Sequence, residues 1–226
     1  MDFRFGTIGE GITDLVVLES ILIGFCDNKD LLVTPLQPTE EEKQKANWDQ
    51  VIKYIQTEDF KQAFSQEYGP DFLVLQIDSD VFGGREVDKE HQLQLAGKSV
   101  EETVEMVKAL LIQDIGEKFY DTVASRIIFA ISVDEIECWL LPVYFPSEKQ
   151  KAGKTTGCIK TLNEGLTKHK AGFYINEKKV DHYRMTSKPF MKKKDLSGYG
   201  KLNQSLSIFL TELEEKTKTV WPPRPA

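Results

Sequence analysis

Apolar positions along this chain recur with two different periods. Between residues 14 and 25, Leu15, Val16, Leu18, Ile21, Leu22 and Phe25 are spaced by threes and fours, the repeat of a helix that buries one face. Residues 72–77 (FLVLQI) are instead almost continuously apolar, as in a parallel strand covered on both sides. Three further segments read as strands: residues 3–8 (FRFGTI), which run into Gly9-Glu10-Gly11; residues 31–36 (LLVTPL), stopped by Pro35 and Pro38; and residues 126–133 (RIIFAISV). The helical period returns between them. Trp48, Val51, Ile52 and Ile55 form one face after an acidic, solvated stretch. Residues 99–121 open with a Ser99/Glu102 capping box and continue with Val104, Val107, Leu110, Leu111 and Ile115. Residues 134–145 form a short helix ending near Pro142, and the helix after the first strand has Thr13 where an N-cap is expected.

Strand and helix therefore alternate four times over residues 3–145. This order predicts an α/β fold, a parallel sheet with helices on both faces, in a core spanning residues 1–146. Residues 147–226 read as a basic extension packing on or next to that core. Its apolar periodicity is poor as far as residue 201, KQKAGKTTG reads as a loop, residues 202–216 form a last amphipathic helix, and WPPRPA is a tail.

Charge sharpens this division. The net charge of −7 argues against simple nucleic-acid binding. Residues 1–148, however, carry 12 Lys and Arg against 29 Asp and Glu, whereas residues 149–201 carry 14 against 4. A basic segment on an acidic body suits either a polyanion partner or an ordinary solvated lysine surface. On the first reading Lys149, Lys151, Lys154, Lys188, Lys192, Lys193 and Lys194 contact nucleic-acid phosphates, while Tyr183 and Phe190 stack on unpaired bases. No apolar run reaches the roughly 18–20 residues of a membrane span, and the first residues lack a signal-peptide pattern. Cys26, Cys138 and Cys158 form no CxxC pair and cannot all be bridged. The expectation is a reduced, cytoplasmic setting with Cys138 as a packing thiol.

The chemistry-bearing residues collect where strands end. The first strand leads to Glu10, the third to Asp78-Ser79-Asp80, and the fourth to Asp134, Glu135 and Glu137. Functional groups of open parallel sheets gather at these ends. Carboxylates brought together there repel unless a cation compensates them, and oxygen donors of this kind select Mg²⁺ or Mn²⁺. Each acid also has a plainer reading: Glu10, Asp78 and Asp80 as turn residues, Glu137 on a solvated helix face, Asp14 as a partner of the helix dipole. AGKTTG at residues 152–157 lacks the first glycine of a phosphate-binding loop and no buried strand immediately precedes it, so no ATP site is assigned.

Three segments in order carry a family resemblance. GEGITD at 9–14 resembles the Glu-Gly-x-Thr-Asp box of Toprim domains, with Gly9 where an apolar residue is usual. IDSD at 77–80 resembles their Asp-x-Asp box, and EIECWLL at 135–141 is similar to an acidic segment of stand-alone Toprim proteins of bacterial defence and abortive infection. The resemblance covers roughly residues 3–142. It implies that Glu10 is a metal ligand or general acid/base, that Asp78 and Asp80 hold one or two Mg²⁺ or Mn²⁺ ions, and that Asp14 is a further ligand. It puts the last acid at Glu137, with Glu135 its competitor. It also implies a metal-dependent nuclease acting on DNA or RNA, tRNA included, as the effector of an antiviral system, beside a partner ATPase sensor. A homo-oligomer is open, and the alternative is a non-catalytic interaction or inhibitor module.

Overall fold

A computed structural model of the protein describes residues 3–39, 47–65, 69–83 and 89–219. The acidic stretch at 40–46 and the tail from 220 onward lie outside the described residues. The fold is α/β. Strands β1 (Arg4–Ile8), β2 (Leu32–Gln37), β3 (Phe72–Asp78) and β4 (Ile127–Ser132) form one all-parallel sheet in the order β2-β1-β3-β4. Helix α1 (Ile12–Cys26) joins β1 to β2. The short α2 (Trp48–Ile55) and α3 (Glu58–Gln62) lead to β3. Then α4 (Asp80–Gly83), α5 (Val100–Ile115) and α6 (Glu117–Val123) lead to β4.

Side chains alternate across a strand, so β3 divides its residues between two cores. Leu73, Leu75 and Ile77 pack with Val51, Ile55, Val107 and Leu111 of α2 and α5. Phe72 and Val74 join Leu18, Ile21 and Leu22 of α1 on the opposite face. The same alternation puts Gln76 and Asp78 on the α1 face, at the end of the strand where the apolar run stops.

Beyond β4 come α7 (Glu137–Tyr144), α8 (Lys149–Ala152), α9 (Cys158–Lys168), α10 (Val180–Ser187), α11 (Lys193–Gly200) and α12 (Gln204–Thr219). These helices do not stand apart: Leu162, Tyr183, Phe190, Leu196 and Phe209 lie in the same buried cluster as α1. Trp139 stacks on Phe209 at 5.3 Å, and its indole N–H donates to Ser205 Oγ at 2.8 Å. Helix α12 closes the β4 side, where the Lys216 ammonium donates to the carbonyls of Ala124 (2.9 Å) and Ile127.

Several expectations are corrected. The helix expected over 99–121 is two, because Gly116 at φ 88° turns the chain between α5 and α6; the Ser99/Glu102 capping box is present as read. Gly11, not Thr13, is the N-cap of α1, and Thr13 is buried in the first turn. The expected loop around 149–157 includes α8. Pro142 lies inside α7 rather than ending it. Cys138 is not a packing thiol: it forms a disulfide with Cys158 that ties α7 to α9, while Cys26 is buried outside any disulfide. Among the described residues no helix is long and apolar enough to cross a membrane.

Candidate metal centre

In the strand order β2-β1-β3-β4 the chain leaves β1 toward one side and later returns to its other side, which opens a crevice between the carboxyl ends of β1 and β3. Glu10 and Asp78 meet there. Glu10 Oε1 accepts a hydrogen bond from the Asp78 backbone N–H at 2.6 Å. Gln76 clamps the pair: its Oε1 accepts from the Glu10 N–H at 3.2 Å and its Nε2 donates to Asp78 Oδ1 at 2.9 Å. Ser132, at the end of β4, donates to the same Asp78 oxygen at 2.8 Å. Gly9 is what admits the clamp. A Cβ there would stand 2.7 Å from Leu15 Cδ2 and 3.0 Å from Gln76 Oε1.

Two more carboxylates close on this pair. Asp14, in the first turn of α1, is fully buried; Thr13 Oγ1 donates to its Oδ1 at 3.5 Å, and its buried Oδ2 has no hydrogen-bond partner among the described residues. Gly11 leaves room beside that oxygen, since a Cβ would lie 3.0 Å away. Glu137, the first residue of α7, is 2% exposed and accepts from the Tyr183 hydroxyl of α10.

These carboxylates act on one another through their charges. Burial pushes the Glu10 carboxyl up to about 8, with the charges of Asp14 and Asp80 adding to it and the Asp78 N–H bond opposing. Burial likewise raises Asp14 to about 6, which Lys178 opposes and Glu137 reinforces. Asp78 is raised well above the usual carboxylate range by burial and then by Glu10, Asp14 and Glu137. The Lys178 ammonium, on the loop before α10, feels all four: its pKa is raised chiefly by Asp14, then by Glu137, Asp78 and Glu10, against its own burial.

Asp80 stands at the rim, exposed, with its carboxyl raised by partial burial and by Asp134. Asp134 and Glu135 are engaged elsewhere, on the amino end of α9. Asp134 Oδ2 accepts from the Gly157 N–H at 3.2 Å and Glu135 Oε1 from the Ile159 N–H at 2.9 Å, where anions suit the helix dipole. Burial raises Glu135 to about 7. Of the two competing acids, Glu137 therefore joins Asp14 and Asp78, and Glu135 holds α9. Asp134, Cys138 and Cys158 also bring ligand atoms within 4.8 Å of one another, but the two sulfurs are bonded to each other.

Neither family models, nor curated proteins, nor solved structures gave a match to this chain. The assignment of residues therefore rests on the arrangement itself.

The lysines named from the sequence fall into two groups. Lys151 pairs with Glu148 at 3.3 Å and lies over the Phe145 ring, Lys154 donates to Thr161, and Lys149 is exposed on α8. Lys188, Lys192, Lys193 and Lys194 are exposed around the turn at 188–191, against the far end of α1. The expected stacking of Tyr183 and Phe190 on bases is corrected: both are buried core residues, 1% and 0% exposed. Sequence reasoning missed Gln76, Ser132 and Lys178, and gave Tyr183 a different role from its hydrogen bond to Glu137. Gln76 had a legible signal, since it stands two residues before Asp78 and so shares its face; the others had none. A groove of about 420 Å³ between α11 and α12, floored by Leu196 and Leu210, lies beside Phe25 at the opposite end of α1 from the acids.

Proposed function

We propose that this protein is a Mg²⁺- or Mn²⁺-dependent phosphodiester hydrolase acting on nucleic acid, a nuclease of the Toprim kind. The observation that carries the reading is the buried Asp14 Oδ2, left without a donor in a group that also holds Glu10, Asp78 and Glu137. Buried like charges are costly unless a cation joins them, and this donor set is all oxygen, which suits Mg²⁺ or Mn²⁺. Glu10, Asp14 and Asp78 would hold the ion, with Asp80 at the rim. When bound, such an ion polarises a phosphoryl oxygen and lowers the pKa of water. Where the ion leaves the Glu10 carboxylate uncoordinated, that group would instead take a proton from an attacking water. Tyr183 fixes the Glu137 carboxylate, and Gln76 with Ser132 fixes Asp78.

The parallel sheet, its crevice and the order of the acids support the Toprim resemblance. The antiviral role and the partner ATPase rest on that resemblance alone. Incubation of single- and double-stranded DNA and total RNA with Mg²⁺, Mn²⁺ or EDTA tests the reading. Cleavage that needs metal and is lost in Glu10→Ala and Asp78→Asn is the expected result. No cleavage together with no metal-induced rise in melting temperature refutes it in favour of an interaction module.

A further inference from the structure

We propose that the exposed ridge of α10 is the docking surface for the phosphodiester backbone of a single nucleic-acid strand, leading from the acid group to the turn at 188–191. The inference rests on the nuclease reading and adds where the substrate lies and how long it must be.

Helix α10 runs beside α1 in the same direction. At one end the Tyr183 hydroxyl reaches Glu137; further on, Ser187 Oγ lies 2.9 Å from Ser20 Oγ; beyond the helix, the Phe190 carbonyl occupies the place of a Gly24 side chain, 1.8 Å from where its Cβ would be. The ridge thus follows α1 from Asp14 to Gly24, about 15 Å at the helical rise. On its outer side stand positions 181, 184, 185 and 188, spaced as one helical face. Arg184 and Lys188 are exposed there, Met185 is 51% exposed, and beyond the turn at 188–191 Lys192 and Lys193 are exposed as well.

Residues 168–194 carry nine Lys and Arg against two acids in a chain of net charge −7. Arg184 pairs with Asp181 at 3.1 Å, but an exposed pair of this kind is weak and leaves guanidinium donors for phosphate. Lys188, Lys192 and Lys193 form no ion pair with a described carboxylate. Separated cations running from α10 across the turn to the start of α11 fit a repeating anion of one strand's breadth. At the rise of about 3.4 Å per nucleotide of a base-stacked strand the track takes about four or five nucleotides, so the ligand is a polymer rather than a mononucleotide. Lys178 lies at the acid end of the track, where the strand would meet the carboxylates.

Fluorescence anisotropy with labelled DNA and RNA strands of about two to fifteen nucleotides, in EDTA so that nothing is cut, reads the docking by itself. Affinity is expected to climb up to about five nucleotides and then level off. The variant Lys188→Glu/Lys192→Glu/Lys193→Glu is expected to bind about 30-fold more weakly and to flatten the dependence of log K on log salt by about two. A control, Lys53→Glu/Lys98→Glu/Lys118→Glu, makes the same change in net charge on other exposed lysines and should stay within about twofold of wild type. Equal losses in both variants, no binding by wild type, or tighter binding of duplex than of single strand overturns the inference. Hydrolysis of bis(para-nitrophenyl) phosphate with Mn²⁺ is measured alongside. Turnover of that small diester by wild type and ridge variant alike keeps the hydrolase reading whatever the strand does, whereas docking without turnover would count against the hydrolase alone.

Discussion

Replacing Glu10 by glutamine should make the metal-free protein more stable, and increasingly so as pH rises. The glutamine Oε1 can still accept the Asp78 N–H bond, so the change removes charge rather than contact. In the folded chain the Glu10 carboxyl is raised from 4.5 to about 8. Below about pH 4.5 both folded and unfolded states hold the proton and Glu10 costs nothing. Between about 4.5 and 8 the folded state binds the proton more tightly, so each pH unit removes about 1.4 kcal/mol of stability, to a ceiling of about 5 kcal/mol above pH 8. Glu10 is only partly buried, and water on its open side reduces this to about 2–3 kcal/mol. For a chain of this size that is a rise in Tm of about 5–10 °C. Thermal unfolding of wild type and Glu10→Gln in EDTA at about pH 5, 6.5 and 8 checks it: the two curves should nearly coincide at the lowest pH and separate at the highest. With saturating Mg²⁺ or Mn²⁺ the order should close up, because wild type gains about 2.7 kcal/mol at 100 times Kd and the variant gains less. A variant that melts at or below wild type at pH 8 in EDTA, or a gap that does not widen with pH, would refute the reasoning that burial, and after it the charges of Asp14 and Asp80, penalise the Glu10 carboxylate.

Other perturbations test the frame around the acids. Gly24→Ala drives a methyl group against the Phe190 carbonyl, a backbone atom that cannot rotate away, and should cost about 3 kcal/mol in urea unfolding. Tyr183→Phe removes the donor to a carboxylate that is 2% exposed; a loss of about 1–3 kcal/mol is expected, and an unchanged denaturation midpoint would show that the bond contributes nothing. Opening the Cys138–Cys158 disulfide frees a loop with a sequence separation of 20 and should cost about 3 kcal/mol; a thiol reductant should bring wild type down to the midpoint of Cys138→Ser/Cys158→Ser and leave that variant unmoved.

The strands, the parallel sheet and the positions of the acids were legible because continuous apolar runs and their polar ends are local signals. What the sequence could not yield depends on packing. Helix α10 buries Tyr183, Thr186 and Ser187, a mostly polar set with no apolar stripe for periodicity to find. It and the turn after it fit against α1 through small groups, Ser20 facing Ser187 and Gly24 facing Phe190. Asp14 was readable as a helix-dipole residue, but its burial comes from the cover laid over α1 by a segment more than 160 residues further along. Glu135 and Glu137 stand two residues apart with similar neighbours. Which one enters the group follows from the turn at Asp134, φ 68°, and from the amino end of α9 that takes Glu135. Three cysteines in a sequence do not declare which two are bonded. The break at Gly116 likewise hides in an otherwise helical pattern until the positive φ is seen.

The chain delivers its charges in an unequal order. Glu10, Asp14, Asp78 and Glu137 are all synthesised before Lys178 and Tyr183, the two groups that counter them. At a translation rate of about 5–20 residues per second, about 2–8 s separate Glu137 from Lys178, and about 4–16 s pass before Thr219 at the end of α12 follows. During that interval all four strands of the sheet have been synthesised, whereas α12, which covers β4, and the groups that counter the carboxylates have not. Protein synthesis itself thus delays completion of the centre until the later helices arrive.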